Sequence, residues 1–410
     1  SLLGDPYDEG QAIDSMFEPF AQTWNRLLAL HRMGHPVEKV ELIVLGGTWS
    51  SYPKAYQLYF ITRLFEAVNT FDPTCAQEPY TPEVEHQPDF LDLSPLEASM
   101  LKEGDSLNLY NRIVSRHLRH HHDGALLAPH EDRGWDRLTE AHDLNEHALC
   151  RVVGLVVETR PDEIDASEVL YLRRLGATKI QVGIQSLSDE VLRLNRRGHD
   201  VQQARDAVNL LRQGGFKIHA HWMANLYGST VKADIQDYEQ LFSDPSVCPD
   251  ELKLYPCSLI PNTELMAHYQ AERWRPYTRE ELLELLCAVL PMSPAYCRLS
   301  RVIRDIPSTA IHTGNQETNF REVVESKLRE RGVQLKEIRA REVKLKSISG
   351  EQPPQLKHLK YITKVSEEYF LSFEHGESLL GFCRLSLPSS APLCDELQEA
   401  AMIREVHVYG

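Results

Sequence analysis

Short apolar runs alternating with amphipathic helical stretches constrain this chain more than any other feature. The runs are VELIVLGG (40–47), RVVGLVVE (151–158), TKIQVGI (178–184), FKIHAHWM (216–223) and ELKLYP (251–256). Helical patterns follow them at Lys54–Val68, Ala166–Leu175, Val201–Arg212 and Lys232–Phe242, and a last one stands at Glu280–Leu290. A strand covered on both faces by crossover helices needs no polar side, so it reads as a continuous apolar run. The alternation therefore predicts a parallel β/α sheet with buried strands. An amphipathic helix over 11–33, carrying Phe17, Phe20, Trp24, Leu27 and Leu28 and stopped by Gly34, precedes the first strand. Five strands fit an open sheet or an incomplete β/α barrel. The leading helix, placed as if an earlier strand preceded it, favours the barrel.

The spacing breaks once. Residues 72–137 hold 13 acidic against 6 basic side chains and many turn formers, which reads as an inserted acidic lobe. Its tract RHLRHHHDG (116–124) places His120, His121 and His122 side by side, pointing in different directions. A solvated surface tract is the better reading than a metal site.

After Arg301 the pattern changes. Residues 321–346 carry 9 basic against 5 acidic groups, a basic linker region over 301–355. The runs LKYITKV (359–365), EYFLSFE (368–374), SLLGFCRLSL (378–387) and AAMIREVHVY (400–409) then predict an antiparallel meander, with a turn at His375-Gly376. This forms a second domain over 356–410, expected to lack covering helices and so to be part of a larger one.

The whole chain has 44 basic and 60 acidic residues in 410, a net charge of −16. That argues against indiscriminate polyanion binding, although a local basic stripe can still hold nucleic acid. Eight scattered cysteines with no CxxC pair support neither a disulfide framework nor a zinc site. No apolar run approaches the ~18 residues of a membrane span, so the expectation is a cytoplasmic protein without a membrane partner.

In a β/α barrel the chemistry sits where strands end. Those positions hold Gly46, Gly47 and Thr48, then Glu158, Thr159 and Arg160, then Gln185 and Ser186, His219 and His221, and Lys253 and Tyr255. Paired glycines let a ligand's polar head reach backbone N–H groups, though tight strand–helix turns use glycine equally. Glu158 ends an apolar strand, where a carboxylate binds a ligand amine or pairs with Arg160. His219 and His221 alternate on one strand and face one side. Spacing alone supports a barrel enzyme with a polar cofactor.

The strings GHPVEKVELIVLGGTW, GLVVETRPDEI, KIQVGIQSLSDEVLRLNRRGHD, GFKIHAHWM, DELKLYPC and RVIRDIP resemble, in order, the catalytic subunit of Elongator. This is the radical-SAM tRNA uridine acetyltransferase family. IRAREV (338–343) and MIREVHVYG (402–410) match the same family in the second domain. The resemblance implies an α/β fold, an incomplete TIM-like radical-SAM barrel followed by part of a GNAT-type acetyltransferase domain. It further implies a tRNA-modifying acyltransferase using a [4Fe–4S] cluster, S-adenosylmethionine and acetyl-CoA to place a carboxymethyl-type group on carbon 5 of the wobble uridine. The family's cluster cysteines and acyl-CoA loop lie beyond the two ends matched, so this chain is expected to be a trimmed fragment, inactive by itself. A non-catalytic relative binding tRNA or protein is the alternative.

By that resemblance, Gly46, Gly47 and Thr48 bind the methionine end of S-adenosylmethionine, and Glu158 and Gln185 line its cavity. Lys39 would contact acetyl-CoA from the barrel side, and Glu405, Val406, His407 and Val408 would run alongside it. MANLYGST (223–230) departs from the family's turn and leaves Asn225 unassigned. For a tRNA anticodon stem-loop, the cations are Arg193, Arg196, Arg197 and His199 with Lys336, Arg339, Arg341, Lys344 and Lys346. Elongator-type subunits or a second copy are the protein partners implied.

Overall fold

The structure is a computed structural model that describes residues 18–45, 48–76, 78–81, 131–261, 263–303, 311–315, 317, 319–343, 353–389 and 391–409. Gly46, Gly47, Lys344, Lys346, most of the acidic segment and the histidine tract lie outside them. The chain divides into two compact units, residues 1–157 with 174–177, and 158–173 with 178–410.

The first unit holds helix α1 (Pro19–Arg32), strand β1 (Lys39–Val44), helices α2 (Lys54–Thr70) and α3 (Glu131–Asn145), and most of β2 (Arg151–Thr159). Glu18 caps α1 by accepting from the Ala21 N–H at 2.7 Å, and Pro19 fills the first turn, where no donor is needed. β1 and β2 pair in parallel, with a bulge at Val40/Glu41. β1 is not the buried strand expected: exposed and half-buried residues alternate along it. The segment read as an acidic insertion ends in the first turns of α3, which pack on α2. Leu138 is buried there, a Cβ on Gly134 would meet Leu58, and Asn69 Nδ2 donates to the Ala141 carbonyl at 2.8 Å.

The second unit continues with α4 (Ala166–Arg174), β3 (Lys179–Gln185), α5 (Asp189–Leu194), α6 (Val201–Gln213) and β4 (Lys217–Ala224). Next come α7 (Val231–Ser243), β5 (Glu251–Pro256), α8 (Leu265–Gln270), α9 (Arg279–Val289), β6 (Arg298–Val302), α10 (Phe320–Glu330) and α11 (Ile338–Arg341). β3, β4, β5 and β6 pair in parallel in that order. Sequence patterning missed β6, whose five residues RLSRV include two arginines. Capping boxes, Asp200 with Gln203 and Thr278 with Glu281, start α6 and α9.

Period-two alternation gives these strands two different faces. Ile180, Val182 and Ile184, Ile218, Ala220 and Trp222, and Leu252 and Leu254 form the apolar face. Trp222 stacks edge-on against Tyr238 of α7 at 5.2 Å. The opposite face carries Lys179, Gln181 and Gln185, His219 and His221, and Glu251, Lys253 and Tyr255. Apart from Tyr255 all of them are buried.

The second sheet, β7 (Gln355–Ile362), β8 (Ser366–His375), β9 (Ser378–Pro388) and β10 (Met402–Val408), is antiparallel in the order β10-β9-β8-β7. The β8–β9 hairpin turns at Gly376, whose φ of 59° suits glycine. One face of this sheet is covered by the segments that begin β4, β5 and β6. A bulge between Ile403 and Glu405 turns consecutive side chains of β10 inward. Arg404 reaches Asp250, Glu368 and the Phe216 carbonyl. Glu405 meets Arg384 at 2.7 Å and Lys217 at 2.5 Å, and Lys217 continues to Glu251 at 2.7 Å. Tyr296 and Tyr361 stack at 3.9 Å between ring centres.

Candidate functional site: the polar face of the parallel strands

His221 Nε2 lies 2.8 Å from Gln181 Oε1, and His221 Nδ1 lies 3.7 Å from the Glu158 carboxylate at the end of β2. His219 Nε2 is 2.7 Å from Ser300 Oγ, and its Nδ1 faces Glu251 at 3.4 Å. Burial holds both imidazoles neutral: His219 is pushed down to about 3 and His221 well below the usual histidine range. Burial also lowers the Lys253 ammonium to about 8, against the pull of Glu158 and with the repulsion of Arg301. It raises the Glu158 carboxyl, with Lys253 and Arg197 opposing. Glu251 stays ionised because Lys217 and Lys179 outweigh its burial. Glu158 does not pair with Arg160, which binds Asp162 instead.

Gln185 closes β3 in a left-handed conformation, φ 68°. Its side chain folds back over Gly183, where a Cβ would come within 2.8 Å of the Gln185 amide nitrogen and 3.7 Å of Arg197 Nη2. Arg197 is half-buried, its basicity lowered by that burial, and its Nε is buried without a partner. The neighbouring His199 is buried, its Nε2–H donating to the Ile184 carbonyl (3.2 Å) while Nδ1 has no partner. Glu158, Gln185, Arg197 and the face of β4 and β5 thus present convergent polar groups, two of them orphaned nitrogens, the chemistry of a polar-ligand site.

The remaining expected residues are dispersed. Thr48 precedes a 3₁₀ turn without capping it. Lys39 opposite Arg151, with His142 and Asn145, lines a surface groove of about 420 Å³ in the first unit. On β10, the edge strand, Val406 and Val408 are exposed and His407 stacks on Phe382. The Glu405 carboxylate is turned inward and its charge is consumed by Lys217 and Arg384. Of the proposed tRNA cations, Arg193 pairs with Glu190 and Arg196 with Glu264, both at the surface. Arg339 donates to the Ser300 carbonyl and Arg341 binds Glu374, while Lys336 is exposed. Arg197 and His199 are displaced from that set by burial and belong with Gln185. Sequence reasoning did not find Asp234 and Asp237 of α7, which hydrogen-bond the ends of β4 and β3. They looked like ordinary charges on an amphipathic helix.

Among the described residues, no three His, Cys, Asp or Glu side chains come together as metal ligands, and no helix is long and apolar enough to cross a membrane.

The Radical SAM superfamily pattern matches residues 125–236, and the Radical_SAM C-terminal domain matches 249–330. The chain is 32% identical over 400 residues to a tRNA uridine(34) acetyltransferase of Dehalococcoides mccartyi, covering 96% of this chain and 73% of that protein. The Methanocaldococcus infernus enzyme of the same name is 30% identical over 402 residues, covering 96% and 64%. Human Elongator complex protein 3 is 29% identical over 406 residues, covering 98% and 63%. In structure, the chain superposes on archaeal M. infernus Elp3 lacking residues 1–46 with a TM-score of 0.76 at 30% identity, covering 99% of this chain and 81% of that one. It spans 64% and 63% of the length of two Methanocaldococcus relatives. Agreement along nearly the whole chain, from β1 to the bulged edge strand, means that the chain belongs to the tRNA uridine(34) acetyltransferase family, that of Elongator complex protein 3, and carries its radical SAM domain.

Proposed function

We propose that this chain is the central part of a tRNA-modifying enzyme that installs a carboxymethyl-type group on carbon 5 of the wobble uridine. In this reading the polar face of β3–β5 holds S-adenosylmethionine, and β10 runs alongside acetyl-CoA as part of a GNAT-type acetyltransferase domain over 356–410. The observation that carries it is the convergence of Gln185, Arg197 and Glu158 at the ends of β2 and β3, in a chain whose relatives bear the tRNA uridine(34) acetyltransferase name.

The donor set fits a zwitterionic cofactor. Arg197 Nε and His199 Nδ1 are buried without partners, and Glu158 can meet an ammonium. When bound, that cofactor would supply radical chemistry at carbon. The described residues do not form a ligand set for an iron–sulfur cluster. The chain's own contribution is to bind and orient: Gln185 and Arg197 fix the cofactor's polar end, Lys253 sets the charge behind it, and the neutral histidines keep that face from adding further positive charge. Within the second unit, the backbone of edge strand β10 offers N–H and C=O groups to the amides of acetyl-CoA. Exposed Arg193, Arg196 and Lys336 are left for tRNA phosphates, which position but do not specify. Elongator-type subunits are the partners this reading favours.

The test is full-length protein, anaerobically reconstituted, incubated with acetyl-CoA, S-adenosylmethionine and tRNA, with nucleosides read by mass spectrometry. A carboxymethyl-type mass gain on the wobble uridine is expected. Salt-sensitive tRNA binding with no modified nucleoside would sink the enzymatic reading and leave a binding role.

A further inference from the structure

Two carboxylates one turn apart on α7 grip the ends of two neighbouring strands. Asp237 Oδ1 accepts from the Leu187 N–H at 2.8 Å, and its Oδ2 accepts from the Ser186 hydroxyl. Asp234 Oδ2 accepts from the Asn225 N–H and the Tyr277 hydroxyl, both at 2.7 Å, and its Oδ1 accepts from the Ser229 hydroxyl. Both aspartates are buried. The residues at the two gripped ends, Gln185 (φ 68°) and Asn225 (φ 60°), are non-glycine residues in the left-handed region. Such conformations persist only where surrounding structure over-determines them, and they cluster where function needs them.

The consequence for Gln185 is specific. With its backbone left-handed, its side chain lies back over Gly183, next to Arg197 and that residue's unpartnered Nε. Asp237 reaches Gln185 through the two residues that follow it, with one carboxylate oxygen on the Leu187 N–H and the other on the Ser186 hydroxyl. Asn225 is used differently. Its amide donates to the Arg275 carbonyl at 3.1 Å and its own carbonyl accepts from Trp274 Nε1 at 2.9 Å, so Asp234 anchors the segment that leads into α9.

We propose that Asp237 is a positioning residue for the cofactor, holding Ser186 and Leu187 so that Gln185 stays left-handed with its amide beside Arg197. Asp234 is the matching anchor for the end of β4. The proposal rests on the reading of Gln185 as a cofactor contact.

The probe is S-adenosylhomocysteine, an unreactive analogue, titrated calorimetrically into the full-length protein. Gln185→Ala should weaken binding by about tenfold, and Asp237→Ala by a similar factor. If Asp237 acts through Gln185, the double variant binds no worse than the weaker single one. Asp237→Asn should recover part of the affinity, since its oxygen still accepts from Leu187. Should Asp237→Ala fail to fold, Ser186→Ala removes one half of the grip and should show a smaller loss in the same direction. Wild-type affinity in both Asp237→Ala and Ser186→Ala, or losses that multiply in the double variant, would overturn the positioning role and leave the cofactor site standing. No binding by the wild-type protein would overturn the cofactor reading itself, and the positioning role with it.

Discussion

Arg404 donates to Asp250 with both terminal guanidinium nitrogens, Nη1 to Oδ2 at 2.6 Å and Nη2 to Oδ1 at 2.9 Å, and both side chains are fully buried. The pair ties bulged β10 to the residue that precedes β5. Arg384 approaches the same carboxylate at 3.5 Å and Arg212 at 4.0 Å, with Glu368 as second anion. Three buried guanidinium groups hold Asp250 ionised against its burial. Asp250→Ala leaves them short of one negative charge, so it should cost about 3–5 kcal/mol of folding stability. Urea denaturation measures this, and a loss below about 1 kcal/mol would mean the cluster is solvated.

The neutral histidines make stability depend on pH in a definite direction. His219 and His221 have folded-state values depressed below the ~6.5 of an unfolded chain. Between those values the unfolded state binds more protons. Their contribution is therefore complete above about pH 6.5 and is lost as pH falls towards the folded values, by about 1.4 kcal/mol per unit for each. The depressed carboxylates Asp250, Glu251 and Glu405 lose theirs in the same direction, but only below the ~4 of free carboxylates. Comparing pH 7.5 with pH 5 keeps these carboxylates out, and a variant lacking both imidazoles cancels the remaining groups, His142, His199 and His407 among them. A His219→Gln, His221→Gln double variant should lose about 2–4 kcal/mol less stability over that interval than the wild-type protein. Equal losses in the two proteins would refute the buried, neutral assignment.

Lys253 is a strained charge. Its value near 8 lies below the ~10.4 of a free lysine, so at neutral pH its protonation opposes folding. Lys253→Met should raise stability at pH 7 by about 1–3 kcal/mol, with the advantage shrinking as pH rises from 8 towards 10. The same variant should bind S-adenosylhomocysteine more weakly. A destabilised Lys253→Met protein would show that the ammonium is held by favourable contacts and not merely tolerated.

Gly183→Ala separates the site from the fold. The added Cβ would lie 2.8 Å from the Gln185 amide, the movable end of a side chain, so the backbone need not shift. Melting temperature should change little, by the equivalent of about 1 kcal/mol or less, while analogue affinity falls several-fold. Calorimetry and thermal unfolding on one preparation decide it; a large fall in melting temperature with unchanged affinity would contradict the placement of Gln185.

Much of the scaffold could be read before any coordinates. The strands around Val156, Val182, Ala220 and Leu252 were visible as short apolar runs, because burial against the helices imposes apolar side chains there. The hairpin at Gly376 was visible because a left-handed turn selects glycine. β6 was not, since a five-residue strand bearing Arg298 and Arg301 has no apolar period to detect. Gln185 stands 27 positions and Arg197 39 positions after Glu158, so their convergence on that carboxylate depends on where strands end in space.

The sequence by itself determined the alternation of strand and helix, the antiparallel meander and the family, because each is written in local periodicity or in long ordered motifs. Tertiary structure alone decided which charges are spent. Arg404 and Glu405 look like two surface residues of an edge strand until a bulge turns both inward onto Asp250 and Lys217. Arg197 looks like one more cation for tRNA until burial leaves its Nε without a partner beside Gln185. The reason is physical: a charge's role is set by its partners and by its removal from water, and both come from residues far away in the chain.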